Sequence, residues 1–310
     1  EENASTHAAR GAHAKGHACV KAYFRVENQL APALQHGIFN DSGRQYKAWI
    51  RFSNASSNFA QSDDRNKDTR GMAIKIINVE AGENAWLDGS ALTQDFLMHS
   101  NPVFFSANIE DYNKLVESEN KLLSFLDGAN PFKWRLRELM HALDTLAPPP
   151  PSPLIEDYFS NTAYRLGPHN MKFSAQTCAS HTTPRNKPAE DPDFLKRALA
   201  QHLKSDSACF HFMVQLQNPG KYMPIEDPSV EWEAEDSPWR RVATIDIPSQ
   251  DTGAAEQVAF CENLSFSPWN ALKAHRPVGQ LNRIRKQVYE ASSAIRHDVN
   301  GVAAPTDLGW

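Results

Sequence analysis

Near the end of the chain Arg285 and Tyr289 stand four residues apart, and Ser292 and Arg296 continue the same spacing. In a helix this row sets a guanidinium one turn below a phenol. If the row faces inward, the cation hydrogen-bonds the phenolic oxygen and favours its ionised form, which makes an anionic oxygen ligand for a trivalent metal. If it faces water, it is a basic stripe that happens to contain a tyrosine. Leu281, Ile284, Val288, Ala291 and Ile295 recur beside it at three- and four-residue steps. That periodicity predicts a helix over Gly279 to Arg296 with an apolar stripe of the kind a helix turns to a core.

Composition narrows the choice. The chain has 310 residues, a net charge of −5 and a pI near 6.2, with its Lys and Arg dispersed, so no basic field for nucleic acid exists. No run of about eighteen apolar residues is present, and no membrane span is expected. The sequence opens on Glu1 with no readable leader stretch, which leaves a soluble protein in an exported, periplasmic or cytoplasmic location equally open. Cys19, Cys178, Cys209 and Cys261 lie far apart without CxxC spacing. Buried free thiols are the default expectation, with one or two disulfides if the chain is exported.

The elements that must position these residues read mostly as strands. Polar and apolar residues alternate over His13–Glu27, Gln45–Asn54, Gly71–Val79 and Gln94–Ser100, then again over Asn170–Thr177, Cys209–Gln217, Arg240–Ile247 and Gln257–Phe266. Helical spacing marks Asn108–Leu126 and Phe132–Leu146, separated by a break at Gly128–Pro131, and again Pro192–Leu203. Pro148 to Pro151 followed by Ser152-Pro153 is a stiff connector. Eight strands without α/β alternation predict an α+β chain built on one closed eight-stranded antiparallel barrel, with an inserted helical hairpin and a C-terminal helix.

Four segments join the C-terminal helix: Arg10-Gly-Ala-His13-Ala-Lys-Gly16, Trp49-Ile-Arg51-Phe-Ser53-Asn54, Asp68-Thr-Arg-Gly71-Met-Ala-Ile-Lys75, and Thr93-Gln-Asp-Phe-Leu-Met-His-Ser-Asn101-Pro-Val-Phe-Phe105. Taken singly, His13 reads equally well as a strand-end histidine, Arg51 as a surface residue and Ser53 as a turn former. Together, in this order and at these offsets, they resemble the haem-binding core of the catalase superfamily over roughly residues 8 to 106 and 256 to 298. The likeness is greatest to the short catalase-related haem peroxidases.

That resemblance implies a single haem-binding domain over 1–310. Its parts are a first barrel half at 12–106, a helical insertion and Pro-rich connector at 107–153, a second half at 170–267 and a proximal helix at 277–298. It implies haem b as cofactor, His13 as distal base with Ser53 fixing its tautomer, and Tyr289 as axial iron ligand tuned by Arg285. Arg10, Arg51 and Arg296 match the arginines that pair with the haem propionates. Counting back from Pro102, the family's distal Asn falls on Ser100, with Asn101 displaced by one. Either the strand bulges and Asn101 reaches the peroxide, or Ser100 takes over, or the amide role is absent. Ala12 before His13, and no stacking aromatic after Phe105, also depart from full catalases and weigh against efficient disproportionation of hydrogen peroxide.

The function so implied is reduction of hydrogen peroxide or an organic hydroperoxide by a small organic electron donor, with weak catalase activity. The alternatives are a fatty-acid hydroperoxide isomerase of allene oxide synthase type, which Ala12 counts against, and a haem-free all-β carrier. Asp68 to Gly71 reads as a structural turn, and His17 and His99 are assigned no metal. A homo-oligomer is left open.

Overall fold

Alternation in the N-terminal half builds four strands: β1 (Gly16–Val26), β2 (Gln45–Asn54), β3 (Arg70–Ile76) and β4 (Gln94–His99). The protein was analysed as a computed structural model, which describes residues 8–56, 62–82, 85–87, 92–118, 123–126, 134–144, 148–179 and 190–310. Two short helices follow, α1 (Ile109–Glu117) and α2 (Leu136–Asp144), and the expected break at 128–131 lies outside the described residues. Asn108 starts α1 by accepting a hydrogen bond from Asp111 N at 2.9 Å, as an N-cap should. The proline connector then leads to β5 (Tyr158–Phe159), β6 (Tyr164–Leu166) and β7 (His169–Thr177). After these come α3 (Phe194–Leu203), β8 (Ala208–Leu216), β9 (Arg240–Ile247), α4 (Ala255–Asn263) and α5 (Gln280–Asn300).

The strands pair in the order β5-β4-β3-β2-β1-β9-β8-β7, antiparallel throughout, and β5 pairs back onto β7. Eight strands therefore close a ring, and β6 is appended to β7 outside it. The core lies inside the barrel. Val20, Ala22 and Phe24 of β1 have no exposed surface, and Phe24, Phe96, Phe173 and Phe212 meet ring to ring with Phe39 from the loop after β1. Such aromatic contacts fill a small barrel without polar atoms.

Two expectations are corrected. Residues Gln257–Phe266 do not supply the eighth strand; most of them form α4, which turns Cys261 inward, with Leu264 buried just past its end. The eighth strand is instead the two-residue β5, too short to leave an alternation signal. The cysteines are not free thiols either: Cys19 bonds Cys261 and Cys178 bonds Cys209. Cys19 is the register partner of Arg51 on the outside of the barrel, where α4 packs, so a bond across 242 residues is made by tertiary contact rather than by spacing. Among the described residues no helix is long and apolar enough to cross a membrane.

Candidate functional site

Partners across an antiparallel ladder share one side of the sheet. Ser53, Gly71 and His99 are such partners across β2, β3 and β4, and Arg51, Ala73 and Leu97 form the next row on the same side. Phe52, Met72 and Met98, between these rows, belong to the core, so both rows project from the outside of the barrel. Gly71 leaves a gap in the first row, and the imidazole of His13 fills it. A Cβ at Gly71 would lie 2.5 Å from His13 Nδ1 and 2.9 Å from Ser53 Oγ, which is why only glycine fits.

His13 enters this gap with a positive φ of 55°, a conformation that β-carbon residues adopt at a cost. Hydrogen bonds hold it there. Its amide donates to Ala55 O at 3.2 Å, its carbonyl accepts from Arg51 Nη2 at 2.8 Å, and its Nδ1 meets Ser53 Oγ at 3.0 Å. Burial first, then the charges of Arg51 and Arg285, lower its pKa to about 4, so the ring is neutral at pH 7. With Nδ1–H donated to Ser53, Nε2 is left as a proton acceptor.

A cavity of about 350 Å³ separates this wall from α5. From the helix, Val288, Tyr289, Ser292, Ser293 and Arg296 line it. Arg285 Nη2 donates to Tyr289 Oη at 3.1 Å, while Nη1 lies 3.1 Å from Asn282 Oδ1 and 3.4 Å from Tyr164 Oη. Burial opposes the Arg285 charge, but the phenols of Tyr289 and Tyr164 outweigh it and its pKa is raised. The inward face of α5 is thus the polar row. Of the apolar stripe, Ile284 at 39% and Ile295 at 61% exposure are turned to solvent, while Val288 borders the cavity. Arg285 and Arg296 find polar partners inside that the apolar side chains could not satisfy, and this decides the face.

The arginine end of the cavity is strongly cationic. Arg10 holds Glu262 Oε2 at 3.0 Å, together with the carbonyls of Cys261 and Leu264 at the C-terminus of α4. Arg296 donates to Glu262 O and, at 3.1 Å, to Ser265 Oγ. Arg51 is 4% exposed, and its Nε has no partner among the described residues. Burial, then Arg10, lower the Arg51 pKa to about 9. Three guanidiniums gather here around one carboxylate, that of Glu262, a surplus that suits a ligand carrying two negative charges.

Comparison with known proteins bears on the fold. The sequence profile of the Catalase family matches residues 5–122. Over that stretch, a little over a third of its length, the chain is similar to the Catalase family. Solved structures sharing the fold include a fungal catalase, with a TM-score of 0.73 and 18% identity, covering 95% of this chain and 60% of that one. Catalase A from Saccharomyces cerevisiae gives 0.74 at 17% identity, over 96% and 64% of the two chains. A bacterial catalase gives 0.74 at 16% identity, over 99% and 62%. The chain therefore spans less than two thirds of each of these catalases. No curated protein matches the sequence.

The placement of the expected residues is uneven. His13, Ser53, Arg10, Arg51, Tyr289 and Arg296 all line the cavity, and Arg285 stands behind Tyr289. Asn101 and Ser100 do not line it. Asn101 Oδ1 accepts from Thr69 Oγ1 at 3.4 Å and its carbonyl accepts from Asn161, while Ser100 Oγ accepts from Arg70 N at 3.0 Å. The strand does not bulge, so strict alternation after Leu97 carries His99 to the cavity side instead. The sequence held that signal: Asp95, Leu97 and His99 alternate with Gln94, Phe96 and Met98. Gly71, expected at the start of a strand, is a member of β3, and it is also the floor beneath His13, a role its sequence did not suggest.

Proposed function

We propose that the protein is a haem enzyme that reduces hydroperoxides with a small organic electron donor. The observation that carries this is one juxtaposition. A neutral imidazole, fixed by Ser53 and seated on Gly71, faces the Arg285–Tyr289 pair across a cavity whose far end holds three arginines. The chain's residues fit haem b by their own chemistry. The unpartnered Nε of Arg51 and the surplus of positive charge suit two propionates, with Arg10 and Arg296 beside it. Tyr289 would hold the haem iron through its phenolic oxygen, which accepts a hydrogen bond from Arg285 at 3.1 Å.

Bound there, haem supplies the two-electron cleavage of the peroxide O–O bond. The protein manages the protons. His13 Nε2 takes the proton from the near oxygen of the hydroperoxide and returns it to the far oxygen, so that an alcohol or water leaves. The donor provides two electrons and two protons, and the balance is ROOH + 2e⁻ + 2H⁺ → ROH + H₂O. Ser53 keeps the His13 proton on Nδ1 through this exchange, and Arg51 holds the His13 backbone in its positive-φ conformation.

The test is a haem titration followed by peroxide. The protein is expected to give a stoichiometric Soret band and to oxidise a phenolic donor in step with hydroperoxide consumption. Oxygen release without donor, at a rate equal to donor oxidation, overturns the peroxidase assignment. A protein that takes up no haem overturns the whole reading.

A further inference from the structure

The distal wall carries one polar side chain that the proposed chemistry leaves unused. His99 ends the row of Ser53 and Gly71, and its ring stands edge-on to His13 with centroids 4.9 Å apart and planes at 88°. It lines the same cavity, and neither of its nitrogens has a hydrogen-bond partner among the described residues. A polar ring so placed, and left without a protein partner, is set to meet a ligand.

We propose that His99 is a second catalytic residue of the distal wall, hydrogen-bonding the peroxide oxygen next to the one whose proton His13 exchanges. The inference rests on the peroxide-reducing function proposed above. Three observations converge on it. The cross-strand register fixes His99 on the side of the sheet that carries Ser53 and receives His13. The edge contact puts the two imidazoles within reach of one small molecule. Asn101, the residue expected for this task, is occupied by Thr69 outside the cavity lining. Burial, then His13 and Arg285, hold the His99 pKa well below 6.5, so the ring is neutral. A neutral imidazole offers one N–H donor and one lone pair, as an amide offers both roles, and it can also change tautomer to pass a proton on. Two uncharged rings then grip the two oxygens of a hydroperoxide without favouring an anion.

The experiment compares variants of the haem-loaded protein by two readouts, the bimolecular rate with hydroperoxide and the dissociation rate of cyanide. His99→Leu is expected to slow the first and speed the second by about 10- to 100-fold, the usual worth of one positioned donor, with haem stoichiometry unchanged. His99→Gln keeps a donor and is expected to restore most of both. Should His99→Leu not fold, His99→Phe, which retains a ring but no donor, carries the same expectation. Rates in His99→Leu or His99→Phe equal to those of the unaltered protein overturn the inference, as does a larger loss in Asn101→Ala than in either. An unaltered protein inert to hydroperoxide overturns the proposed function and this inference with it, a result distinct from equal reactivity in the variant.

Discussion

The two walls of the cavity are built on different principles. The distal wall is sheet, backed by a buried polar layer. Asn54 is fully buried and receives His17 Nε2 at 2.9 Å and the Arg70 guanidinium, while Lys15 Nζ meets Asp64 Oδ1 at 2.9 Å and Asp68 accepts from the amides of Ala55 and Ser56. The proximal wall is one 21-residue helix of which only Asn282 and Arg296 are buried. These two stand two turns before and two turns after Tyr289. Asn282 Nδ2 donates to the carbonyls of Ala163 and Val278, each at 2.9 Å, and Trp269 Nε1 donates to Asn282 O at 2.8 Å. The base is therefore held by a continuous ladder with no room to spare, and the tyrosine is hung between two polar anchors. A methyl group in the wrong place should destroy the first wall, while the outer surface of the second should tolerate wide change.

The sharpest break is Gly71→Ala. Its Cβ would occupy the space of the His13 ring, so hydroperoxide turnover is expected to fall roughly 100- to 10,000-fold, the usual worth of a positioned general base. Haem uptake, which depends on Tyr289 and on the three arginines rather than on His13, should persist. Tyr289→Phe is the mirror case, and should lose the Soret band while far-UV circular dichroism is unchanged. Normal turnover in Gly71→Ala, measured by donor oxidation, would break the contrast.

Next in size is the bond joining β1 to α4, whose C-terminal carbonyls hold Arg10 and Arg296. Replacing both Cys19 and Cys261 by Ser is expected to cost about 2–5 kcal/mol in urea unfolding, because a loop of 242 residues is no longer constrained in the unfolded chain. No change in the midpoint would show that α4 is held in place without it.

Acid should act more gently, through two buried histidines. Burial is the first cause that lowers the pKa of His17 to about 4 and of His275 to about 3, against 6.5 in the unfolded chain. Between those values the unfolded state binds the extra proton, so stability falls as pH drops from about 6.5 and levels off below the folded pKa. Each group is expected to remove about 2 kcal/mol by pH 5 relative to pH 7. Urea midpoints for His17→Asn and His275→Gln should show correspondingly weaker pH dependence, and an undiminished slope would count against both assignments.

The smallest effect belongs to the exposed side of α5. Ile295→Ser, at a position 61% exposed, should change stability by less than about 0.5 kcal/mol, whereas Asn282→Ala should cost roughly 1–3 kcal/mol by leaving buried carbonyls unpaired. A large loss in Ile295→Ser would mean that the apolar stripe is covered after all.

Local patterns carried most of what could be read in advance. The seven longer strands and α5 were legible because alternation and helical spacing are properties of neighbouring residues. His13 with Ser53, and Arg285 with Tyr289 and Arg296, were legible because their residue types and offsets specify a chemistry. The residues missed have a common character. Asn101 was counted along the chain, but which residue reaches the cavity depends on where the β4 ladder ends, and that selects His99. Likewise the helix in α4 and the two-residue β5 were set by closure of the ring, not by their own periodicity.

The amino-acid sequence by itself thus determined the barrel strands, the helix carrying Tyr289 and the pairing of base with hydroxyl and of tyrosine with arginine, since each is encoded within a few residues. Tertiary structure alone decided which face of α5 turns inward, which residue stands beside His13, why residue 71 must be glycine and which cysteines join. Those outcomes depend on cross-strand register and on contacts between segments as much as 242 residues apart, where no local pattern reaches.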